Sequence, residues 1–240
     1  MEITIRDGER FALVRPLGVL GEPEVGELRE VLLTAAGEDH EVVVCDLTAV
    51  ETEPSVLSEL HVVADQLDDT AGSPLVVLAP PAWHDAIAQL DVAHVLTLVV
   101  DLREVRDVLA DTASRPRAVL SLEPSVDAPA RARAFLRDTL AEWGLDECDY
   151  VGLVIGVDEL VTNAVLHART EIDVVLSLRE DRLAAAVGDR SDEPPMPREA
   201  GQWAENGRGL AMVDQLALRW GVTPRTPHGK TVWMAVARRT

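Results

Sequence analysis

Apolar positions along the first 112 residues follow two alternating rhythms. Continuous apolar runs at "EVVVCDL" (41–47), "PLVVLA" (74–79) and "VLTLVV" (95–100) predict buried strands. Between them the spacing is helical. "EPEVGELREVLLTAA" is periodic through Val25, Leu28, Leu32 and Ala35, and "PSVLSELHVVADQL" through Val56, Leu60, Val63 and Leu67, with Pro54 at a first-turn position. "AWHDAIAQL" predicts a short helix and "LREVRDVLAD" a closing one, while "EITI" and "RFALVRP" predict a strand pair. Strands of this kind alternating with amphipathic helices describe an α/β fold, a sheet covered by helices.

The second half has another order. "RAVLSLEP" predicts a strand. "SVDAPARARAFLRDTLAEWG" predicts a helix with a Ser or Asp cap, an early proline and a terminal Gly144. Asp146 opens a long helix, and "IDVVLSL" and "RLAAAVGD" form a hairpin. After a loop rich in proline, glycine and acids, "GRGLAMVDQLALRW" predicts a helix ending at Gly221, and "TPHGK" a turn into the last strand, "TVWMAVA". Helices followed mainly by antiparallel strands predict a two-layer α/β sandwich.

Charge changes where the element order changes. The chain carries 42 acids and 22 bases, a formal net of −20. Up to Thr112 there are 23 acids and 6 bases, so most of the negative charge lies in the first half. The break falls at "DTASRPRA" (111–118), a linker, which predicts domains of residues 1–113 and 114–240. An acidic surface repels phosphate backbones and argues against nucleic-acid binding. The acidity serves solubility or attracts a basic partner. No apolar run approaches the ~20 residues of a membrane-spanning helix, and "MEITIRDGER" is no signal peptide. Cys45 and Cys148 suggest neither a disulfide framework nor a zinc site, so a reducing cytoplasm is the expected setting.

The chemistry gathers in "DELVTNAVLHA" (158–168). Glu159, Asn163 and His167 recur every fourth position and form a polar stripe on a helix whose body is apolar. An amide oxygen can ligate a hard cation such as magnesium, and a carboxylate one turn away can take a proton from an attacking hydroxyl. An ordinary solvated face explains the same stripe. Further pieces weigh against that bland explanation. Asp189 in "VGDRS" ends a strand, where a carboxylate can accept from an exocyclic amine. Gly207 and Gly209 in "NGRGLAMV" stand at a helix start, which favours phosphate. "HGKTVW" holds Lys230, the only lysine of the chain.

"ELVTNAVLHA", "DRS", "GRGLAMVDQLALRWG" and "GKTVW", in that order, resemble the nucleotide-binding fold shared by gyrase, heat-shock chaperones and histidine kinases. Within it residues 115–240 look most like the anti-sigma factor serine kinases of actinobacterial type. The resemblance implies ATP and magnesium as ligands. Asn163 would coordinate magnesium, and Glu159 would be the general base or would orient the attacking serine. Asp189 would read adenine, Gly207, Arg208 and Gly209 would form the phosphate-side lid and helix start, and Thr231 would lie near the adenine edge. His167 matches a frequent family residue without a chemical role. The segment after Asp189 departs from the pattern: the superfamily writes D-x-G-x-G, and this chain writes "DRSDEPP" with no glycine until Gly201.

Residues 2–112 resemble a STAS domain, the fold of anti-sigma factor antagonists, through "VVVCDLTAVETEPSVLSEL". Asp46 matches that family's first aspartate. Its later D-S-S-G or D-S-T-G motif is replaced by "PSVL", which puts Val56 at the phosphoacceptor position. Together the resemblances imply a kinase that phosphorylates a serine of a STAS antagonist and controls a sigma factor. The kinases are often dimers, so a homodimer is among the states expected. Two other readings stay open: a protein-binding scaffold with a vestigial nucleotide site, and a sensor histidine kinase fragment. The last lacks a preceding dimerisation helix with a phosphoacceptor histidine.

Overall fold

The computed structural model describes residues 2–7, 10–36, 40–53, 56–70, 73–83, 96–112, 115–193, 209–225 and 228–239. The chain divides into two compact units, Met1–Ser114 and Arg115–Thr240. The linker residues 113–114 and the helix expected over 82–90 lie wholly or mostly outside the described residues, as do Pro54 and Ser55.

The first unit is built on a sheet of strands β1 (Glu2–Asp7), β2 (Phe11–Val19), β3 (Val42–Asp46), β4 (Val50–Glu51), β5 (Leu75–Leu78) and β6 (Thr97–Val99). β1 runs antiparallel to β2, and β2, β3, β5 and β6 follow one another in parallel, with short β4 paired to β2. β3 and β5 are buried along their whole length because helices cover both faces. On one face Val14, Val43 and Cys45 meet Leu28 and Leu32 of α1 (Glu22–Ala36) and Leu60 and Val63 of α2 (Leu57–Thr70). On the other, Leu13, Val44 and Val76 meet Val105 and Leu109 of α3 (Glu104–Thr112). The α/β class expected for both halves holds.

Asp46, at the end of β3, is fully buried and fully bonded. Arg15 donates to its Oδ2 through Nε at 2.7 Å and an NH2 group at 2.5 Å, while the Thr48 amide and hydroxyl donate to Oδ1 at 2.9 and 2.5 Å. A buried carboxylate needs such partners to offset its lost hydration. Next to it, burial, followed by the Asp46 charge, pushes the Cys45 thiol up, so this cysteine stays protonated.

The second unit is one antiparallel sheet, in order β10–β11–β9–β8–β7, built from β7 (Arg117–Leu122), β8 (Ile172–Leu178), β9 (Arg182–Asp189), β10 (Arg219–Pro224) and β11 (Lys230–Ala237). Helices α4 (Ala128–Glu142), α5 (Val151–Asn163) and α6 (Gly209–Leu216) pack on one face, through Leu136, Leu153, Val157, Leu160 and Val213 against Val174, Leu176, Val187, Val232 and Met234. This is the expected two-layer sandwich. Gly144 closes α4 with φ 70°, a left-handed turn that suits glycine. The segment Glu147–Ala168 has the length and hydropathy of a membrane-crossing helix. One face of it, through Leu153, Val157, Leu160 and Val161, lies in this core, Val151, Ile155 and Leu166 are exposed, and Asp158 pairs with Arg133 of α4.

The helix expected to reach Trp220 stops at Leu216. The Ala217 amide still bonds the Val213 carbonyl at 2.9 Å, but the Leu218 amide bonds the Ala235 carbonyl at 2.8 Å, so the chain turns there from helix to sheet. "RWGVTP" is therefore edge strand β10, and the Trp220 Nε1 bond to Asp214 Oδ1 at 2.8 Å ties it back to α6.

Replacing Arg15 by Met leaves Asp46 buried beside two neutral donors. We expect a loss of about 3 kcal/mol in unfolding free energy, the low end for a broken buried pair because the Arg15 side chain is 35% exposed. Urea unfolding followed by circular dichroism measures it, and an unchanged midpoint would show the pair to be dispensable.

Candidate functional site

Helix α5 carries the acid and the amide. Glu159 and Asn163 stand one α-helical turn apart, both half-buried, at its C-terminal end. The start of α6 lies directly against them. A methyl group on Gly209 would sit 2.8 Å from Glu159 Oε2 and 3.1 Å from Asn163 Nδ2. Glycine at this helix start thus makes room for the two polar side chains, which is how the fold brings the three positions together. Neither side chain has a hydrogen-bond partner among the described residues.

The polar stripe ends at Asn163. Residues Ala164–Ala168 wind as a π-turn, closed by the Arg169 amide on the Ala164 carbonyl at 3.0 Å, with Arg169 left-handed at φ 57°. The looser turn carries His167 off the α-helical line, and it is exposed. Its place in the stripe is therefore corrected: the α-helical spacing assumed for it does not continue past Asn163.

Asp189 ends β9 with its side chain only 6% exposed. The Ser191 amide donates to its Oδ1 at 2.8 Å and Lys230 Nζ to the same oxygen at 3.0 Å. Lys230 pairs with Asp189 across the β9–β11 ladder, whereas Thr231 pairs with Gly188. Neighbours on a strand point to opposite faces. Lys230 shares the helix-covered face with Val232 and Met234, and Thr231 faces the other way, beside Gly188. The structure thus brings Glu159, Asn163 and Gly209 together and sets Asp189 with Lys230, while Thr231 lies apart. Gly207 and Arg208 fall outside the described residues.

Lys230, Ser191 and Asp192 are the polar residues that the sequence left without a role. Asp192 accepts from the Gly229 amide at 2.7 Å through Oδ1 and meets His228 Nδ1 at 2.9 Å through Oδ2. The Gly229 bond, then His228, holds its carboxyl below the usual range. The one signal in the sequence was that Lys230 is the single lysine.

Among the described residues no three His, Cys, Asp or Glu side chains form a metal cluster. Magnesium fits here only as it usually does beside phosphates, with one or two protein oxygens and the rest supplied by water and ligand, and Asn163 offers such an oxygen. Gly209→Ala should push Glu159 and Asn163 aside. The Asn163 side-chain amide resonances should then move while the far-ultraviolet circular dichroism spectrum stays as it is, and an unmoved amide would mean that the contact is slack.

Comparison with known proteins adds the following. The chain is similar to a structure of the RsbU and RsbW domains of a Mycobacterium tuberculosis protein, at 26% identity over 52% of this chain and 34% of that one, TM-score 0.40. It thus spans about a third of that structure. It is also similar to an anti-sigma factor antagonist from Mycobacterium paratuberculosis, at 19% identity over 46% of this chain and 94% of that one, TM-score 0.39. For the SiaB-SiaC complex from Pseudomonas aeruginosa the values are 13% identity, 56% and 99% coverage, and TM-score 0.39. Residues 122–236 match the family model of the histidine kinase-like ATPase domain. That match spans most of the second unit, Arg115–Thr240.

Proposed function

We propose that the chain is a regulatory protein serine kinase of the anti-sigma factor type, with its ATP and magnesium site in the second unit. The observation that carries this reading is the meeting of Glu159, Asn163 and Gly209, an acid, an amide and a bare helix start in contact, within a histidine kinase-like ATPase domain. Asn163 would give its amide oxygen to magnesium, Asp189 would accept from the adenine amine, and the α6 start with Gly207, Arg208 and Gly209 would face the phosphates. Glu159 would take the proton of the serine hydroxyl as its oxygen bonds to the γ-phosphorus and ADP leaves. Bound magnesium supplies charge neutralisation on the phosphates. The acceptor would be a serine of a separate STAS antagonist, and the output the holding or release of a sigma factor in the cytoplasm, by the kinase alone or as a homodimer.

The first unit, in this reading, is a STAS-like domain that has given up phosphorylation and serves in docking. Val56 at the acceptor position has no hydroxyl and is 7% exposed, a core residue among Leu60 and Val63. Asp46 has its oxygens occupied by Arg15 and Thr48. Mass spectrometry after incubation with ATP and magnesium should find no stoichiometric phosphate on the first unit, and phosphate on Ser55 or Ser58 would overturn this assignment.

Calorimetry of the purified chain tests the site. ATP binding should depend on magnesium, and Asn163→Ala should weaken that dependence. Glu159→Gln should spare binding yet slow serine phosphorylation by ~10²–10⁴-fold, the usual worth of a general base. Wild-type transfer rates in that variant would reduce Glu159 to a structural residue. A wild-type chain that binds no nucleotide would favour the scaffold reading instead.

A further inference from the structure

Asp189 is held more firmly than a recognition residue requires for folding. Lys230 Nζ donates to Asp189 Oδ1 at 3.0 Å and to the Ser191 carbonyl at 3.1 Å. The Ser191 amide reaches the same Oδ1 at 2.8 Å. Both bonds to the carboxylate thus fall on one oxygen, and Oδ2 has no partner among the described residues. The Lys230 side chain is 12% exposed and the Asp189 side chain 6%, so the pair is largely withdrawn from water.

The backbone around the pair is equally fixed. Gly229 has φ 113°, and a Cβ there would lie 2.1 Å from the Asp189 carbonyl oxygen. The corner before β11 therefore rests on the end of β9 with no room for a side chain. Asp192 closes the arrangement from beyond by bonding the Gly229 amide. Residues 189–192 are clasped to residues 228–230 at the place where the superfamily pattern has its missing glycines.

Two consequences follow from elementary chemistry. A carboxylate so buried is costly without a cation, and Lys230 is that cation. With Oδ1 doubly engaged, the carboxylate cannot rotate freely, and Oδ2 is the acceptor that it presents. An ionised carboxylate oxygen only accepts, so it attracts an amino group and repels a carbonyl. We propose that Lys230 is a positioning residue for nucleotide recognition: it holds Asp189 with Oδ2 toward the base and so makes the site choose 6-amino over 6-oxo purine nucleotides. The inference rests on the assignment of Asp189 to the base. Without the ammonium the carboxylate can turn, and Oδ2 is no longer held toward an amine.

The test compares ATP and GTP affinities, with magnesium, in the full-length wild type, Lys230→Met and Lys230→Arg. Circular dichroism melting confirms that each is folded. The wild type should prefer ATP. Lys230→Met should lose about tenfold of that preference, the scale of one hydrogen bond to a charged group, while Lys230→Arg, which keeps a cation, should retain most of it. Should Lys230→Met fail to fold, Lys230→Gln takes its place and must show the same loss. A purely structural lysine would lower both affinities alike. Folded variants with the wild-type ratio of ATP to GTP affinity therefore overturn the role of Lys230 alone. A wild type that binds neither nucleotide overturns the site and this role together.

Discussion

Helix α5 makes two close contacts at glycines, one at its own Gly156 and one at Gly209 of α6. Gly156 faces Met234 of β11 so closely that a Cβ would meet the sulfur at 2.2 Å. Gly209 at the head of α6 makes the same allowance for Glu159 and Asn163. Packed interiors have little slack, so a methyl group at either place must displace something. The first contact lies between the helix and the sheet, and the second between its polar end and the neighbouring helix. The geometry of the candidate site is thus a packing result before it is a chemical one. Leu153, Val157, Leu160 and Val161 supply the apolar burial that holds the helix in place.

The two units handle a buried acid in related ways. Asp46 ends β3, and Asp189 ends β9; each is nearly or fully buried and each is met by one basic side chain and one backbone amide two residues on. The difference lies in what remains. Asp46 has both oxygens bonded, whereas Asp189 keeps one oxygen without a partner among the described residues. The first arrangement is closed and structural, and the second leaves a directed acceptor. Counting occupied oxygens, rather than burial, distinguishes the two acids.

Much of the fold was legible in the pattern of residues. Continuous apolar runs located β3 and β5, and helical spacing located α1, α2, α4 and α5, because burial on a fixed face imposes those periods directly. "LALRW" misled because its apolar spacing suits a helix, while its destination was set by an open sheet edge at β11, a long-range fact absent from local spacing. The pairing of Glu159 with Asn163 was legible from their separation by four. His167 was not, since nothing in "AVLHA" announces a π-turn. That Lys230 rather than its neighbour meets Asp189 follows from strand pairing, since one step along a strand exchanges its faces. Gly209 was legible as a place of close approach, and among the described residues Glu159 and Asn163 are the side chains that approach it.

The clasped lysine gives the chain an unusual chemical inventory. Lys230 is the chain's single lysine, so the only side-chain primary amine stands at the start of β11, at 12% exposure and bonded to a carboxylate. Acylating reagents that seek side-chain amines find, along this sequence, one ε-amine. The reactivity of that amine reports on its bonds to Asp189 and Ser191. Most proteins spread such reagents over many surface sites, whereas this one concentrates the signal at a single address.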